Sequence, residues 1–231
     1  MASYVLIPGA GGVAWYWHRV VPQLRERGHE AIAVDLPGDD TAAGLAEYTD
    51  VVTDAIGDRT GVILVAQSMA GFTAPLVCER VPVELLVLVA AMTPAPGERP
   101  GDWWANTGQP KAAREFAAHE GRAWTNEFDP IEVFLHDVPA DVVAEGANHE
   151  RDQSDAPFQE PWPLAAWPDV PTRFLLCRHD RLLPPDLQRR VARERLGITP
   201  DEMDGGHLPA LAHPTELVAW LEVFRAEAGV A

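Results

Sequence analysis

Cysteine is scarce in this chain: Cys78 and Cys177 are the only two among 231 residues. Lying in stretches that read as a helix and a buried strand, they favour reduced core thiols over a disulfide framework. Positive charge is short as well, with 18 Lys and Arg against 35 Asp and Glu and a formal net charge of −17. Affinity for nucleic acid comes largely from Lys and Arg neutralising phosphates, so neither nucleic acid nor an anionic membrane is an expected partner. The acidity reads as a solubility device, with a bias toward neutral or cationic substrates. Long apolar runs are missing too. The start MASYVLIPGAGG has no basic leader, and Pro8 and Gly9 interrupt its apolar stretch. It fits neither a signal peptide nor a membrane span, and the expectation is a cytoplasmic protein.

What the chain does have is apolar mass, 47% of residues, enough for one domain with a sizeable core. Short β-branched runs alternate with longer amphipathic ones, the pattern of an α/β fold with a mainly parallel sheet covered by helices on both faces. Strands are predicted at Tyr4–Ile7, Ala31–Asp35, Val62–Ala66, Leu85–Ala90, Arg173–Cys177 and Ile198–Met203. Helices are predicted at Tyr16–Arg27, Leu45–Ile56, Met69–Arg80, Pro185–Leu196 and Pro214–Ala226.

The alternation lapses from Thr93 to Asp169, where Pro-rich turns and aromatics dominate. A structureless loop of that length is improbable in a compact domain, so helices are expected at Gln109–His119, Ile131–Leu135 and Ala140–Arg151. The division predicted is a core of residues 1–92 and 170–231 with an inserted lid, 93–169. Trp103, Trp104, Trp124, Phe128, Phe134, Trp162 and Trp167 give that insertion an apolar face, which either seals it onto the core or contacts substrate.

VILVAQSMAG joins a buried strand to a helix at Ser68, with Ala66 and Ala70 two positions either side. The pattern G-x-S-x-G needs small residues there because a tight, strained turn presses them against neighbouring backbone, and alanine is the next smallest. A helix N-cap is the ordinary alternative for such a serine. A serine hydroxyl needs a base, and the base needs an orienting group. RFLLCRHDRLLPP sets Asp180 just past a strand end, and DGGHLPALAHP sets His207 on a Gly-Gly loop before a helix. The order Ser, Asp, His suits a strand-turn-helix nucleophile. His179 and His213 are rivals for the base. His149, Glu150 and Asp152 are better read as polar surface than as a metal site.

Acyl transfer develops an alkoxide, which fixed N–H groups must receive. The amide after the nucleophile, Met69, is one candidate, and the glycine-permitted turn in LIPGAGG offers the second. PGAGG lacks both G-x-G-x-x-G spacing and a terminal Gly-Lys-Ser/Thr, which argues against nucleotide binding.

Together, IPGAGGVAWYWHRVVPQLRERGHEAIAVDLPG, AQSMAG, CRHDRLLPP and GGHLPALAHP resemble the α/β-hydrolase superfamily, and more narrowly its branch of plant methylesterases and hydroxynitrile lyases. The resemblance implies an α/β-hydrolase fold with a six-stranded sheet. It further implies Ser68 as nucleophile, Asp180 as orienter, His207 as general base, and Ala10 as the second oxyanion amide beside Met69. No cofactor or metal is implied. Pro8 and Gln67 stand where the family often has histidine, and this alters the pocket lining. Lyases of the branch carry threonine in the oxyanion turn and lysine after the catalytic histidine; here those places are Gly9 and Leu208. Without a cation beside the base, cyanide release loses support, which favours hydrolysis of a small, largely apolar carboxylic ester. Gly9, Gln67, Trp103, Trp104, Trp124, Phe128 and Leu208 are the pocket candidates. Two alternatives stay open: lyase-like or other acid-base chemistry with the same triad, or a ligand-binding protein that keeps the fold without turnover.

Overall fold

Six strands carry the architecture: β1 (Ser3–Ile7), β2 (Glu30–Ala33), β3 (Val62–Gln67), β4 (Leu85–Val89), β5 (Thr172–Cys177) and β6 (Asp201–Met203). In the computed structural model, which describes residues 1–125 and 127–231, they form one sheet in the order β2-β1-β3-β4-β5-β6. Every pairing is parallel. Parallel neighbours need crossover connections, and these place helices on both faces. Strands covered on both sides have no wet face, which is why VILVAQ and LLVLV are buried at every position. The strand order reverses between β1 and β3. The loops leaving their carboxyl ends therefore diverge and open a crevice, the usual place for a site in an open α/β sheet. β6 is shorter than predicted because Pro200 has no N–H to give a ladder.

The helices are α1 (Val21–Glu26), α2 (Leu45–Ile56), α3 (Ala70–Cys78), α4 (Pro100–Asn106), α5 (Gln109–His119), α6 (Pro130–Phe134), α7 (Ala140–Gly146), α8 (Ala156–Gln159), α9 (Pro185–Leu196), α10 (Pro209–Ala212) and α11 (Pro214–Glu227). Proline starts many of them, because its missing N–H is an orphan in the first turn anyway. The same property splits the helix predicted over residues 16–27 into a 3₁₀ turn, Ala14–Trp17, and α1. Pro22 can begin a helix but would clash inside one. α4 to α8 all lie between β4 and β5.

Alternate strand residues face opposite sides and build two cores. Val5, Ile7, Leu64, Leu86, Leu88 and Leu176 pack with Phe72 of α3, Leu187 of α9, Trp103 and Trp162. Tyr4, Leu6, Ile63, Val65, Val87 and Leu175 pack with Trp17, Leu24 of α1, and Leu217, Leu221 and Phe224 of α11. Cys78 packs on the first core and Cys177 within the second, so the sheet separates the two free thiols. Burial pushes the Cys78 thiol up to about 12 and Cys177 well above its ordinary range. Among the described residues no helix is long and apolar enough to cross a membrane.

Candidate active site

β3 ends in a sharp elbow. Ser68 stands at φ 54°, in the left-handed region that an L side chain enters only when its surroundings over-determine it. Those surroundings are visible. The Ser68 amide donates to the Val89 carbonyl at 3.3 Å, and the Ser68 carbonyl accepts from Met92 and Gly71 amides at 2.9 and 3.1 Å. Ala66 and Ala70 are buried but tolerate their methyl groups. Gly71 does not have that freedom, because a Cβ there would lie 1.8 Å from the Met92 carbonyl oxygen. The glycine this elbow requires is thus one position beyond the place the motif marks.

Asp180 follows β5, at the strand end predicted for it, and is fully buried. Its Oδ1 accepts from the Leu182 and Leu183 amides at 2.9 and 2.8 Å. Its Oδ2 accepts from His207 Nδ1 at 2.8 Å and from Gln188 Nε2 at 3.2 Å. Gln188, on α9, was not legible as a site residue. A buried charge must be paired or fully hydrogen-bonded, and these donors satisfy both oxygens. With His207 Nδ1–H given to Asp180, Nε2 is the acceptor facing Ser68 Oγ at 2.9 Å. Ser68, Asp180 and His207 are therefore in one hydrogen-bonded line, each less than a tenth exposed. The His207 carbonyl accepts from Gln67 Nε2 at 3.0 Å, and the Phe134 ring lies 5.5 Å from the imidazole.

The rival histidines are engaged elsewhere. His179 is 58% exposed beside Asp204, and His213 faces Asp137 at 3.6 Å. His18 and His149 stack on Trp15. Among the described residues no cluster of three or more His, Cys, Asp or Glu could hold a metal ion.

The turn after β1 presses directly on the elbow. A Cβ on Gly9 would meet Gln67 Oε1 at 2.5 Å and Ser68 Cβ at 2.9 Å, so only glycine allows this approach. The Gly11 amide donates to Gln153 Oε1 at 2.9 Å. Among the described residues, no turn or loop hydrogen bond uses the Ala10 or Met69 amide as donor. Both residues line the cavity that Ser68 and His207 line.

That cavity holds about 700 Å³. Of the pocket candidates, Gln67, Trp104, Trp124, Phe128 and Leu208 line it, and Trp103 and Gly9 do not. Trp103 is 2% exposed and donates its indole N–H to the Thr93 carbonyl at 2.9 Å. It belongs to the core, while its neighbour Trp104 packs edge-on against it at 5.5 Å and also lines the cavity. Gly9 is spent on contact with the elbow. Trp162 is likewise a core residue, donating to the Phe72 carbonyl at 3.1 Å. Walls that sequence reasoning did not name include Met92, Phe158, Arg122 and Arg181. Arg122 is held by Glu120 and Glu132 at 2.6 and 2.9 Å.

The chain has relatives among known proteins. A probable esterase of Oryza sativa subsp. indica is 36% identical over 112 residues. That match spans 42% of this chain and 42% of that protein, less than half the relative's length. A pyrethroid hydrolase of Sphingobium wenxiniae is 26% identical over 239 residues, spanning 94% of this chain and 85% of that one. The solved structure of a pyrethroid hydrolase from Sphingobium faniae superposes with a TM-score of 0.76 at 25% identity, covering 97% of both chains. Residues 4–220 match the Alpha/beta hydrolase family as a whole. The six-stranded parallel sheet and the match across nearly the full chain agree, and the protein belongs to the alpha/beta hydrolase family.

Proposed function

We propose that the protein is a carboxylesterase-type serine hydrolase that cleaves a small, largely apolar carboxylic ester through an acyl-enzyme. One observation carries the reading: the line Asp180, His207, Ser68, with contacts of 2.8 and 2.9 Å, ends at a hydroxyl opening into a mostly apolar cavity. His207 Nε2 takes the Ser68 proton as Oγ attacks the carbonyl carbon. The Ala10 and Met69 amides receive the alkoxide, and His207 returns the proton to the departing alcohol. Water then repeats the sequence on the acyl-Ser68 ester, releasing the acid. Asp180 keeps Nδ1 protonated, so that Nε2 is free to accept, and stabilises the imidazolium.

Residues 93–169 serve in this reading as a lid, since Trp104, Trp124, Phe128 and Phe134 from that segment wall the cavity over Ser68. The names of the Oryza and Sphingobium relatives, an esterase and a pyrethroid hydrolase, support ester cleavage and an apolar substrate. Cyanohydrin cleavage by the same groups is disfavoured because Leu208, directly after the base, adds an apolar wall to the cavity where a departing anion would want a cation.

The test is turnover of a panel of p-nitrophenyl esters together with labelling by a fluorophosphonate. Ester turnover and labelling at Ser68, both lost in Ser68→Ala, are expected. Undiminished turnover by a folded Ser68→Ala variant sinks the mechanism, and Ser68-dependent cyanide release from a cyanohydrin would replace it with the lyase reading.

A further inference from the structure

We propose that Asp137, from the segment between β4 and β5, is a positioning residue for the general base: its carboxylate pins the backbone immediately before His207. The inference rests on the reading of Ser68 and His207 as nucleophile and base.

His207 sits on a loop after the edge strand β6, preceded by Gly205 and Gly206. Nothing intrinsic to a Gly-Gly loop holds an imidazole in place, because glycine is the residue with most backbone freedom to lose. The loop is held from outside: the His179 amide donates to the Gly205 carbonyl at 3.0 Å, and two side chains grip the backbone on either side of the imidazole. On its carboxyl side, Gln67 Nε2 donates to the His207 carbonyl at 3.0 Å. On its amino side, the Gly206 amide donates to Asp137 Oδ2 at 2.6 Å, a short, charge-assisted bond. The His207 backbone is therefore clamped between the nucleophile strand and the inserted segment.

The two glycines are shaped to this clamp. A Cβ on Gly206 would lie 2.7 Å from His136 Nε2 and 2.8 Å from Asp137 Oδ1. A Cβ on Gly205, at φ +113°, would lie 2.6 Å from the His213 ring. Glycine is thus required here so that His136 and Asp137 can dock against the loop. The other Asp137 oxygen, Oδ1, is buried without a hydrogen-bond partner, and His213 Nε2 stands 3.6 Å from Oδ2. Burying one carboxylate oxygen without a partner is costly even on a side chain that stays 18% exposed, which marks the contact as more than casual packing. Three residues earlier, Phe134 lies against the His207 ring itself at 5.5 Å. One short stretch, 134–137, therefore touches both the ring of the base and the backbone immediately before it.

Misplacing a reacting group by about 1 Å can cost on the order of 100-fold in rate. Asp137→Ala is expected to lower kcat about 10- to 100-fold on a p-nitrophenyl ester, with KM within about 3-fold of the unsubstituted protein. Asp137→Asn keeps an acceptor for the Gly206 amide and should retain kcat within about 3-fold, which a requirement for negative charge would not allow. Amide hydrogen exchange gives a reading that does not pass through activity: the Gly206 amide should exchange faster in Asp137→Ala and stay protected in Asp137→Asn. Unchanged kcat in a folded Asp137→Ala, a loss confined to KM, or an equal loss in Asp137→Asn overturns the inference while the hydrolase reading stands. If Asp137→Ala does not fold, Asp137→Ser, whose side chain is too short to hold the Gly206 amide, takes its place with the same expected loss of kcat and faster Gly206 exchange, and unchanged kcat in it overturns the inference. An unsubstituted protein with no Ser68-dependent turnover would overturn the hydrolase reading, and this inference with it.

Discussion

Asp180 and His207 are joined through a single carboxylate oxygen, Oδ2, at 2.8 Å, while Oδ1 is occupied by the Leu182 and Leu183 amides. The division of labour between the two oxygens has a chemical consequence. The backbone amides hold one end of the side chain fixed, and the other end decides which imidazole nitrogen carries the proton.

Asp180→Asn should therefore leave the fold intact and remove nearly all turnover. The Asn oxygen stays with the two amides, its NH₂ faces His207 Nδ1, and the imidazole must switch to the tautomer protonated on Nε2. That nitrogen can no longer accept from Ser68. A fall in kcat on the order of 10⁴ is expected, with circular dichroism and melting temperature close to the parent. A loss under tenfold would show that the tautomer is set by something else.

Gly71→Ala tests the elbow. The added methyl meets the Met92 carbonyl oxygen at 1.8 Å, and both elements are buried with no room to part. Overpacking of this kind costs about 1–3 kcal/mol, read as a lowered urea midpoint. Turnover should drop along with stability because Met92 also donates to the Ser68 carbonyl. Ala70→Gly, at the motif's own small-residue position, should change turnover far less.

Trp103 and Trp104 are adjacent in sequence and should behave as opposites. Trp103→Ala leaves a core cavity and takes away one of the two donors to the Thr93 carbonyl, Arg195 being the other, a loss of about 3–5 kcal/mol, with KM of the surviving folded fraction unchanged. Trp104→Ala should raise KM for aryl and long-chain esters while shifting the melting temperature little. Kinetics and thermal denaturation of the two variants side by side check the assignment.

A pH dependence of stability follows from Glu222. Burial works to raise its pKa, but hydrogen bonds from Tyr4, Arg225 and His29 outweigh this and hold it below the ordinary 4.5. The unfolded chain thus takes up the proton first on acidification. The stabilisation is complete well above pH 4.5 and is lost as pH falls through the depressed folded value. Melting temperatures measured down through this window should fall less steeply for Glu222→Gln than for the parent, and parallel curves would refute the linkage.

Much of this architecture is legible in the sequence because parallel strands covered on both faces read as unbroken apolar runs. Helices α2, α5 and α9 coincide with the stretches predicted for them. α4, α8 and α10 escaped, the latter two being only four residues long, too short to display a helical period. Ser68, Asp180 and His207 could be proposed from their chain order and their places at strand ends. Gln188, Gln153 and Asp137 could not, because their roles rest on hydrogen bonds that only the folded chain brings together, with Asp180, the Gly11 amide and the Gly206 amide, and no motif beside them in sequence marks the role. Trp103 and Trp104 were indistinguishable for a related reason: both pack on the core, and only the rotation of α4 decides which ring also reaches the cavity. Gly71 did carry a signal, the glycine next to the expected one, but its cause lies in the Met92 backbone.

The distance along the chain between Ser68 and His207, 139 residues, bears on when the site comes into being. Chains fold from the amino end as they are synthesised, and pairings of high sequence separation form last. The elbow on β3 leaves the ribosome while the loop after β6 is still to be made. Until that edge strand docks on β5, the nascent chain carries a serine hydroxyl with no base beside it, as inert toward esters as any other serine. On the proposed mechanism, turnover would thus appear only once β6 and the loop after it have been made and docked, rather than in proportion to chain length.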